Sequence, residues 1–208
     1  QYSRIERSEE KRPLRAAFPV RVVRRFGLSH SLQIDGTSVQ SAYRRTPSDW
    51  PWIIHAAEGV DDEARGEVLT LARMGCLGAN TLLVHGVAID EERAEVVLAR
   101  GGGLVWCPTS NEFLFDRTAA VEPFNRAGRL AIGSDSRLSG EGDLLDEVRS
   151  ARATRQISAE ALVRAVTSNA ARLLRLPGIG RLECGGPADL TIIRPLADDP
   201  YESVGSAR

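Results

Sequence analysis

Short apolar segments alternate along the chain with segments of helical periodicity. Each apolar segment ends in polar or glycine residues, as expected of buried strands. The apolar segments are an extended segment that begins at Val20 and the runs 53–54, 81–84, 104–106 and 130–132. The segments with helical spacing between them are 63–74, 91–100 and about 118–127. Strands that alternate with helices are parallel and joined by right-handed crossovers. The pattern therefore predicts an α/β fold with five strands.

The periodicity changes after the last of these strands. Helices are predicted over 144–154, over 158–167 with Ser158 as N-cap, and over 169–174. Pro177 and Gly178 close this helical section, and glycines then frame 188–193, a predicted strand of a different sheet. We accordingly predict an irregular lead-in over 1–18, a main α/β unit over 19–176 and a C-terminal segment over 177–208.

Composition excludes several classes of protein. The 208 residues are 42% hydrophobic and 26% charged, which is typical of one or two globular domains. The sequence has neither an apolar run long enough to span a membrane nor an apolar segment of a signal peptide, so we expect a cytoplasmic location and no membrane partner. The net charge of −1 predicts no attraction for nucleic acid, although 1–25 is locally basic. Cys76, Cys107 and Cys184 form no CxxC pair and are interpreted as reduced thiols.

Residues able to do chemistry follow three of the predicted strands. His55 and His85 come directly after 53–54 and 81–84, and Asp135 follows 130–132. Because the carboxyl ends of parallel strands share one rim, we expect these side chains to converge there. Imidazole and carboxylate groups suit a catalytic Zn²⁺ or Fe²⁺ ion, and Glu58, three residues after His55, is placed to carry protons.

Structural interpretations of the same residues stay open. A single histidine at a strand end is often a hydrogen-bonded core group, and an aspartate there often caps a helix, but their occurrence at successive strand ends favours function. Cys107, before Pro108, is interpreted as buried packing rather than as a nucleophile beside His85. His30 either lines the pocket or is structural, and the structural interpretation is preferred.

The residues at these strand ends resemble a known family. The chain is similar to the C-terminal part of the metal-dependent amidohydrolase superfamily, in the branch of cytosine, guanine and S-adenosylhomocysteine deaminases and chlorotriazine hydrolases. The order and spacing of the matching segments agree over roughly 20–194. These segments are 54–59, 83–86, 106–111, 132–136, 167–174, 180–183 and 188–190.

The resemblance implies a fold and a set of roles. The fold would be a partial TIM (β/α)8 barrel, about its last five βα units, followed by a strand of a small β-sandwich domain. His55 would be a metal ligand, and Asp135 a second ligand that also takes a proton from the attacking water. Glu58 would deliver that proton to the leaving amine, and His85 would polarise or orient the substrate. Asn111 would either contact the substrate or cap a turn.

The chain departs from the family pattern in two ways. It lacks the His-x-His pair that supplies two of four expected protein ligands, and about three βα units, roughly 90 residues, are missing at the front. Three hypotheses follow. The first is a hydrolase of non-peptide carbon–nitrogen bonds, a deaminase of a nucleobase-like or triazine ring with one Zn or Fe ion. The others are a non-catalytic fragment that needs a complementing chain, and a metal-free module that binds a small molecule. The protein partner would be either another copy of this chain in a homo-oligomer or a missing N-terminal half.

Overall fold

Five parallel strands form a single sheet. The structure is a computed structural model, and it describes residues 23–140, 142–194 and 196–206. Each strand pairs with the next along the chain, in the order β1 to β5, so that residues such as Ile53 and Leu82 lie side by side. The strands are β1 (Gly27–Ser29), β2 (Trp52–Ala56), β3 (Thr81–His85), β4 (Gly103–Trp106) and β5 (Leu130–Ile132).

Helices connect the strands and follow the last one. They are α1 (Leu32–Asp35), α2 (Ser38–Arg45), α3 (Asp62–Arg73), α4 (Glu91–Ala99), α5 (Pro108–Phe115), α6 (Glu122–Arg126), α7 (Leu144–Ala153), α8 (Ala159–Val166), α9 (Ser168–Leu173) and α10 (Pro200–Ser206). Helices α7, α8 and α9 all contact β5. None of the described helices combines the length and the apolar character needed to cross a membrane.

The core lies along the strands and the helix faces that cover them. Every residue of β3 is buried, which is the usual state of a parallel strand covered on both faces. The largest side chains without solvent contact are Trp52, Trp106 and Phe124, the last contributed by the short helix α6. This packing explains why the strand sequences are apolar runs rather than alternating patterns.

The predicted alternation of strands and helices is confirmed. The five strands and the helices α3, α4, α7, α8 and α9 lie where the periodicity placed them, within a residue or two, except for the first strand. That strand is Gly27–Ser29, while the predicted start at Val20, like the lead-in 1–18, lies outside the described residues. Ser158 caps α8 as expected, because its side chain accepts a hydrogen bond from the Ala161 amide. The helix predicted over 118–127 is shorter and begins at Glu122.

The predicted strand at 188–193 is wrong. The structure has no strand there, and most of these residues are exposed. A strand requires a neighbour that completes its ladder of hydrogen bonds, and none of the described segments pairs with 188–193. The apolar residues Leu190 and Ile192 that suggested the strand are 60% and 94% exposed.

Candidate active site

The predicted residues lie together at the carboxyl ends of the strands. His55 is the penultimate residue of β2, His85 is the last residue of β3, and Asp135 lies three residues after the end of β5. One potential ligand atom from each of these three residues lies within 4.8 Å of the other two. The ring centroids of His55 and His85 are 5.1 Å apart. The parallel register therefore brings together side chains that are separated by up to 80 positions in the chain.

Two of these residues have a strained backbone. His85 has φ of 75° and Asp135 has φ of 48°, in the left-handed region that residues with a Cβ atom rarely adopt. Such a conformation costs on the order of 1–3 kcal/mol and persists only where the surroundings enforce it. Gly86 continues the turn with φ of 66°, and a Cβ atom there would stand 2.6 Å from Leu104 Cδ1. The chain thus turns sharply just where its chemical groups begin.

His85 is held in one orientation by Asn111. His85 Nδ1 lies 2.9 Å from Asn111 Oδ1, and both side chains are buried. The amide nitrogen of Asn111 donates to the His85 carbonyl at 3.3 Å and to Thr118 Oγ1 at 3.4 Å, so its oxygen is the acceptor for His85. A carbonyl oxygen only accepts, which places a hydrogen on Nδ1. Burial lowers the pKa of His85, and the neutral ring therefore presents a lone pair on Nε2.

His55 presents a nitrogen atom with no partner. Its Nδ1 is buried and forms no hydrogen bond within the described residues. Burial, and next the neighbouring His85, lower the pKa of His55 and favour the neutral ring. The exposed ring of His30 packs edge-on against His55 with centroids 4.9 Å apart. A buried nitrogen without a partner is costly in a folded protein, and a ligand would satisfy it.

Two serine hydroxyls hold the carboxylate of Asp135. Ser110 Oγ donates to Asp135 Oδ2 at 2.6 Å, and Ser139 Oγ donates to the same oxygen at 2.9 Å. Burial raises the pKa of this carboxyl, but the hydrogen bonds from the Ser110 and Ser139 hydroxyls and from the Ser136 backbone favour the charged form, and the pKa is lowered. Asp135 is therefore kept ionised, although it is partly buried.

The pKa of Glu58 is shifted in the opposite direction from that of Asp135. Its carboxylate oxygen Oε1 lies 3.5 Å from His85 Nε2, and its side chain is 29% exposed. Burial is the main cause that raises the pKa of Glu58, and the negative charge of Asp135 also raises it. A raised pKa makes the protonated form of this carboxyl more accessible, which suits a group that donates a proton.

The residues present fit a divalent metal ion. Two neutral imidazoles and one carboxylate are ligands that zinc and iron accept. Ligand atoms on a tetrahedral zinc ion at 2.0–2.2 Å are about 3.3–3.6 Å apart, so the ligand atoms of this cluster, within 4.8 Å of one another, would draw together by up to about 1 Å to share the ion. The convergence of these three side chains at the carboxyl ends of the strands is the observation that marks the cluster as a candidate metal site.

Some functional contacts were not predicted. Ser110 and Ser139 bond Asp135 but were not singled out, although Ser110 lies within the quoted segment 106–111. A serine four residues after the key aspartate was the available signal for Ser139. Cys107 is buried, and burial raises its pKa well above the usual value, so the thiol stays protonated, as its interpretation as packing requires.

The parallel sheet and the polar groups at its carboxyl rim define an α/β fold with a candidate metal site, and comparison with known proteins identifies the family. The amidohydrolase family model matches residues 51–206, and the chain belongs to this family. It is 31% identical over 144 residues to a 5-methylthioadenosine/S-adenosylhomocysteine deaminase from Haloarcula marismortui, a match that covers 64% of this chain and 33% of that protein.

Solved structures show the same fold. An adenosine deaminase from Xanthomonas campestris with bound zinc superposes with a TM-score of 0.73 at 25% identity and covers 86% of this chain and 47% of that one. A 5-methylcytosine deaminase from Klebsiella pneumoniae gives a TM-score of 0.65 at 22% identity, with 88% and 52% covered. The five-stranded sheet thus corresponds to part of a TIM barrel, as predicted. The chain spans about a third of the length of the curated relative and half that of the solved structures.

Proposed function

We propose that this chain carries the catalytic groups of a metal-dependent aminohydrolase, which releases ammonia from an amino-substituted, nitrogen-containing ring of the nucleobase or triazine type. The observation that carries the proposal is the convergence of His55, His85 and Asp135, with Glu58 3.5 Å from His85. The deaminase names of the relatives support the choice of reaction.

His55 and Asp135 are the proposed metal ligands, and the lone pair of His85 Nε2 is available to the same ion. A bound zinc or iron ion supplies Lewis-acid polarisation and lowers the pKa of water toward about 7. Three protein ligands and one open position are the usual arrangement of a catalytic zinc ion. Asn111 keeps the hydrogen of His85 on Nδ1, which leaves the lone pair of Nε2 available to the ion.

Two carboxyl groups divide the proton transfers. Asp135, with its lowered pKa, is ionised and accepts the proton of the attacking water. Glu58, with its raised pKa, is the acid that hands a proton to the leaving amine, and its Oε1 lies 3.5 Å from His85 Nε2. Environments that push the pKa values of two neighbouring carboxyls apart are a recurrent basis for assigning acid and base. Asn111 is proposed to act through His85, and a direct contact with substrate stays a prediction.

The test is ammonia release by the zinc-loaded chain. The substrates are adenosine, cytosine and an amino-substituted triazine, and the variants are Glu58→Gln and the exposed matched control Glu63→Gln. We expect release from one ring class and a loss of about 10²–10⁴-fold in Glu58→Gln, with Glu63→Gln unchanged. Equal activity of the two variants would overturn the role of Glu58, and absence of ammonia from all three ring classes would overturn the proposed reaction for this chain alone.

A second candidate is that the chain acts only together with a complementing chain. Within the described residues, β1 and β5 each have a partner strand on one side only, whereas a closed barrel pairs every strand twice. Under this hypothesis the zinc-loaded chain alone releases no ammonia, and activity appears when a chain that supplies the remaining strands is added. The cytoplasmic location stays a prediction.

A further inference from the structure

A buried carboxylate outside the proposed site joins two of its loops. Glu147 lies in the first turn of α7 and is 2% exposed. Its Oε2 accepts a hydrogen bond from the backbone N–H of Thr109 at 3.0 Å, and the hydroxyl of Thr109 bonds it as well. Glu147 therefore ties α7 to the start of α5, the helix that leaves β4.

The other oxygen of Glu147 faces the loop that follows β5. A Cβ atom added to Gly140 would stand 3.4 Å from Glu147 Oε1, and 3.7 Å from both the Ser134 carbonyl and Thr109 Cγ2. The carboxylate thus lies at the place where α5, α7 and the loop 133–140 meet. Gly140 is buried and leaves just enough room for this contact.

The two segments that meet at Glu147 are those that hold Asp135. Thr109 is followed by Ser110, and Gly140 is preceded by Ser139, and both serine hydroxyls donate to Asp135 Oδ2. The two hydroxyls are also 2.9 Å from each other. Moving either segment would break the hydrogen bonds among Ser110, Ser139 and Asp135. The left-handed backbone of Asp135 likewise persists only where the surroundings enforce it.

Burying a carboxylate at this position costs free energy, because the charged group loses its contact with water. Burial raises the pKa of Glu147, which shows that the folded protein disfavours its charge. An apolar side chain on this face, beside the buried Val148 and Ala151, would avoid that cost. Simple packing does not explain the residue, whereas the need for an acceptor at the Thr109 amide does.

We propose that Glu147 is a positioning residue for Asp135. It fixes the start of α5 and the loop after β5, and through Ser110 and Ser139 it sets the orientation of the Asp135 carboxylate. The inference rests on the proposed function only for the use that is made of Asp135; the positioning itself is a property of the fold.

The test compares Glu147→Ala with Glu147→Gln and with a matched control, Glu67→Ala. Glu67 is also a buried carboxylate on a helix, and its Oε2 accepts a backbone N–H, that of Ala57, at 2.6 Å. Its hydrogen bond is to the loop after β2, not to the two segments that contain Ser110 and Ser139. Both alanine variants remove a buried acceptor, so a general loss of stability affects both.

Two measurements are made on the full chain. Hydrogen–deuterium exchange is followed over 107–112 and 133–140, and the affinity for zinc alone is measured by competition with a chelating dye. We expect Glu147→Ala to speed exchange in both segments and to weaken zinc binding by about 10–100-fold, the usual effect of losing an outer partner of a ligand. Glu147→Gln keeps an acceptor oxygen and restores most of both values, and Glu67→Ala leaves exchange over 107–112 and 133–140 within about twofold.

Equal effects of Glu147→Ala and Glu67→Ala on exchange in these segments would overturn the proposal, as would unchanged exchange in Glu147→Ala. The exchange result does not depend on metal. If the unmodified chain binds no zinc, the proposed function fails for this chain, while the exchange measurement still decides whether Glu147 positions Asp135.

Discussion

At the scale of single residues, the surroundings give chemically similar groups different properties. Asp135 and Glu58 are carboxylic acids at the same end of the sheet, but hydrogen bonds from serines lower the pKa of the first and burial raises that of the second. The histidines differ likewise, since Asn111 bonds Nδ1 of His85, while Nδ1 of His55 has no hydrogen-bond partner among the residues that the structure describes. Residue type alone does not assign these roles, and contacts from other elements do.

We expect the buried carboxyl of Glu67 to make stability depend on pH. Burial raises its pKa above the ordinary 4.5, despite the hydrogen bond from Ala57. Below that value the group is protonated in both the folded and the unfolded chain. As pH rises, the unfolded chain loses its proton first, so this contribution to the free energy of unfolding falls, by up to about 1.4 kcal/mol per pH unit, until the folded pKa is passed.

The measurement is urea unfolding at several pH values between about 4 and 8 for the unmodified chain, Glu67→Gln and the exposed control Glu95→Gln. Glu67→Gln removes the titrating group but keeps an acceptor for Ala57, so the unmodified chain should lose stability relative to it as pH rises. A constant difference, or one of the opposite sign, would show that burial does not control this carboxyl. Glu95→Gln retains Glu67 and should follow the unmodified chain.

The sequence predicted the residues at the strand ends but not their supports. His55, His85 and Asp135 were identifiable because each directly follows an apolar run in an alternating pattern. Ser110 and Glu147 bond residues that are 25 and 38 positions away in the sequence, and their contacts exist only after the loops have folded. The local signs were the serine four residues after Asp135 and an acid on the same helix face as Val148 and Ala151, at Glu147.

At the scale of elements, the turns that follow strands and helices determine where side chains point. Helix α5 begins immediately after β4 with Pro108 at its first position, where the lost amide hydrogen is not needed. The helix was not predicted because its apolar residues do not form a helical stripe, and Phe113 is 70% exposed. Proline at the start of the segment was the available signal. α5 carries both Ser110 and Asn111, and it is therefore central to the site.

Two glycines after α9 offer a matched test of backbone packing. Gly178 and Gly180 have φ of 73° and 81°, so alanine is strained at both, by on the order of 1–2 kcal/mol. A Cβ atom at Gly178 meets nothing within 4 Å, but one at Gly180 would stand 2.6 Å from the Thr167 carbonyl oxygen. We expect Gly180→Ala to lower the free energy of unfolding by about 1–3 kcal/mol more than Gly178→Ala.

Urea unfolding of the two glycine variants checks this expectation. The comparison isolates the contact with the junction of α8 and α9, because the conformational strain is nearly the same in both. Equal destabilisation would mean that the segment after α9 does not pack on Thr167 as described.

At the scale of the whole molecule, the alternation of strands and helices was sufficient to predict a parallel sheet with its functional groups at one rim. Each βα unit is specified by local periodicity, and the handedness of the crossover leaves little choice of topology. The strand predicted at 188–193 failed because strand formation is a property of two segments, and periodicity describes only one. The apolar residues of 188–193 suggested a buried strand, but no segment in the described part of the chain covers Leu190 or Ile192.

The central claim is that His55, His85 and Asp135 together hold a divalent metal ion, and metal content tests it most directly. The purified chain is equilibrated with zinc, dialysed against metal-free buffer and measured by elemental mass spectrometry, beside Asp135→Asn, His55→Ala and the exposed control Asp62→Asn. We predict about one equivalent of zinc in the unmodified chain and in Asp62→Asn, and near zero in the two site variants. Equal zinc content in all four proteins, or none in the unmodified chain, would contradict the claim.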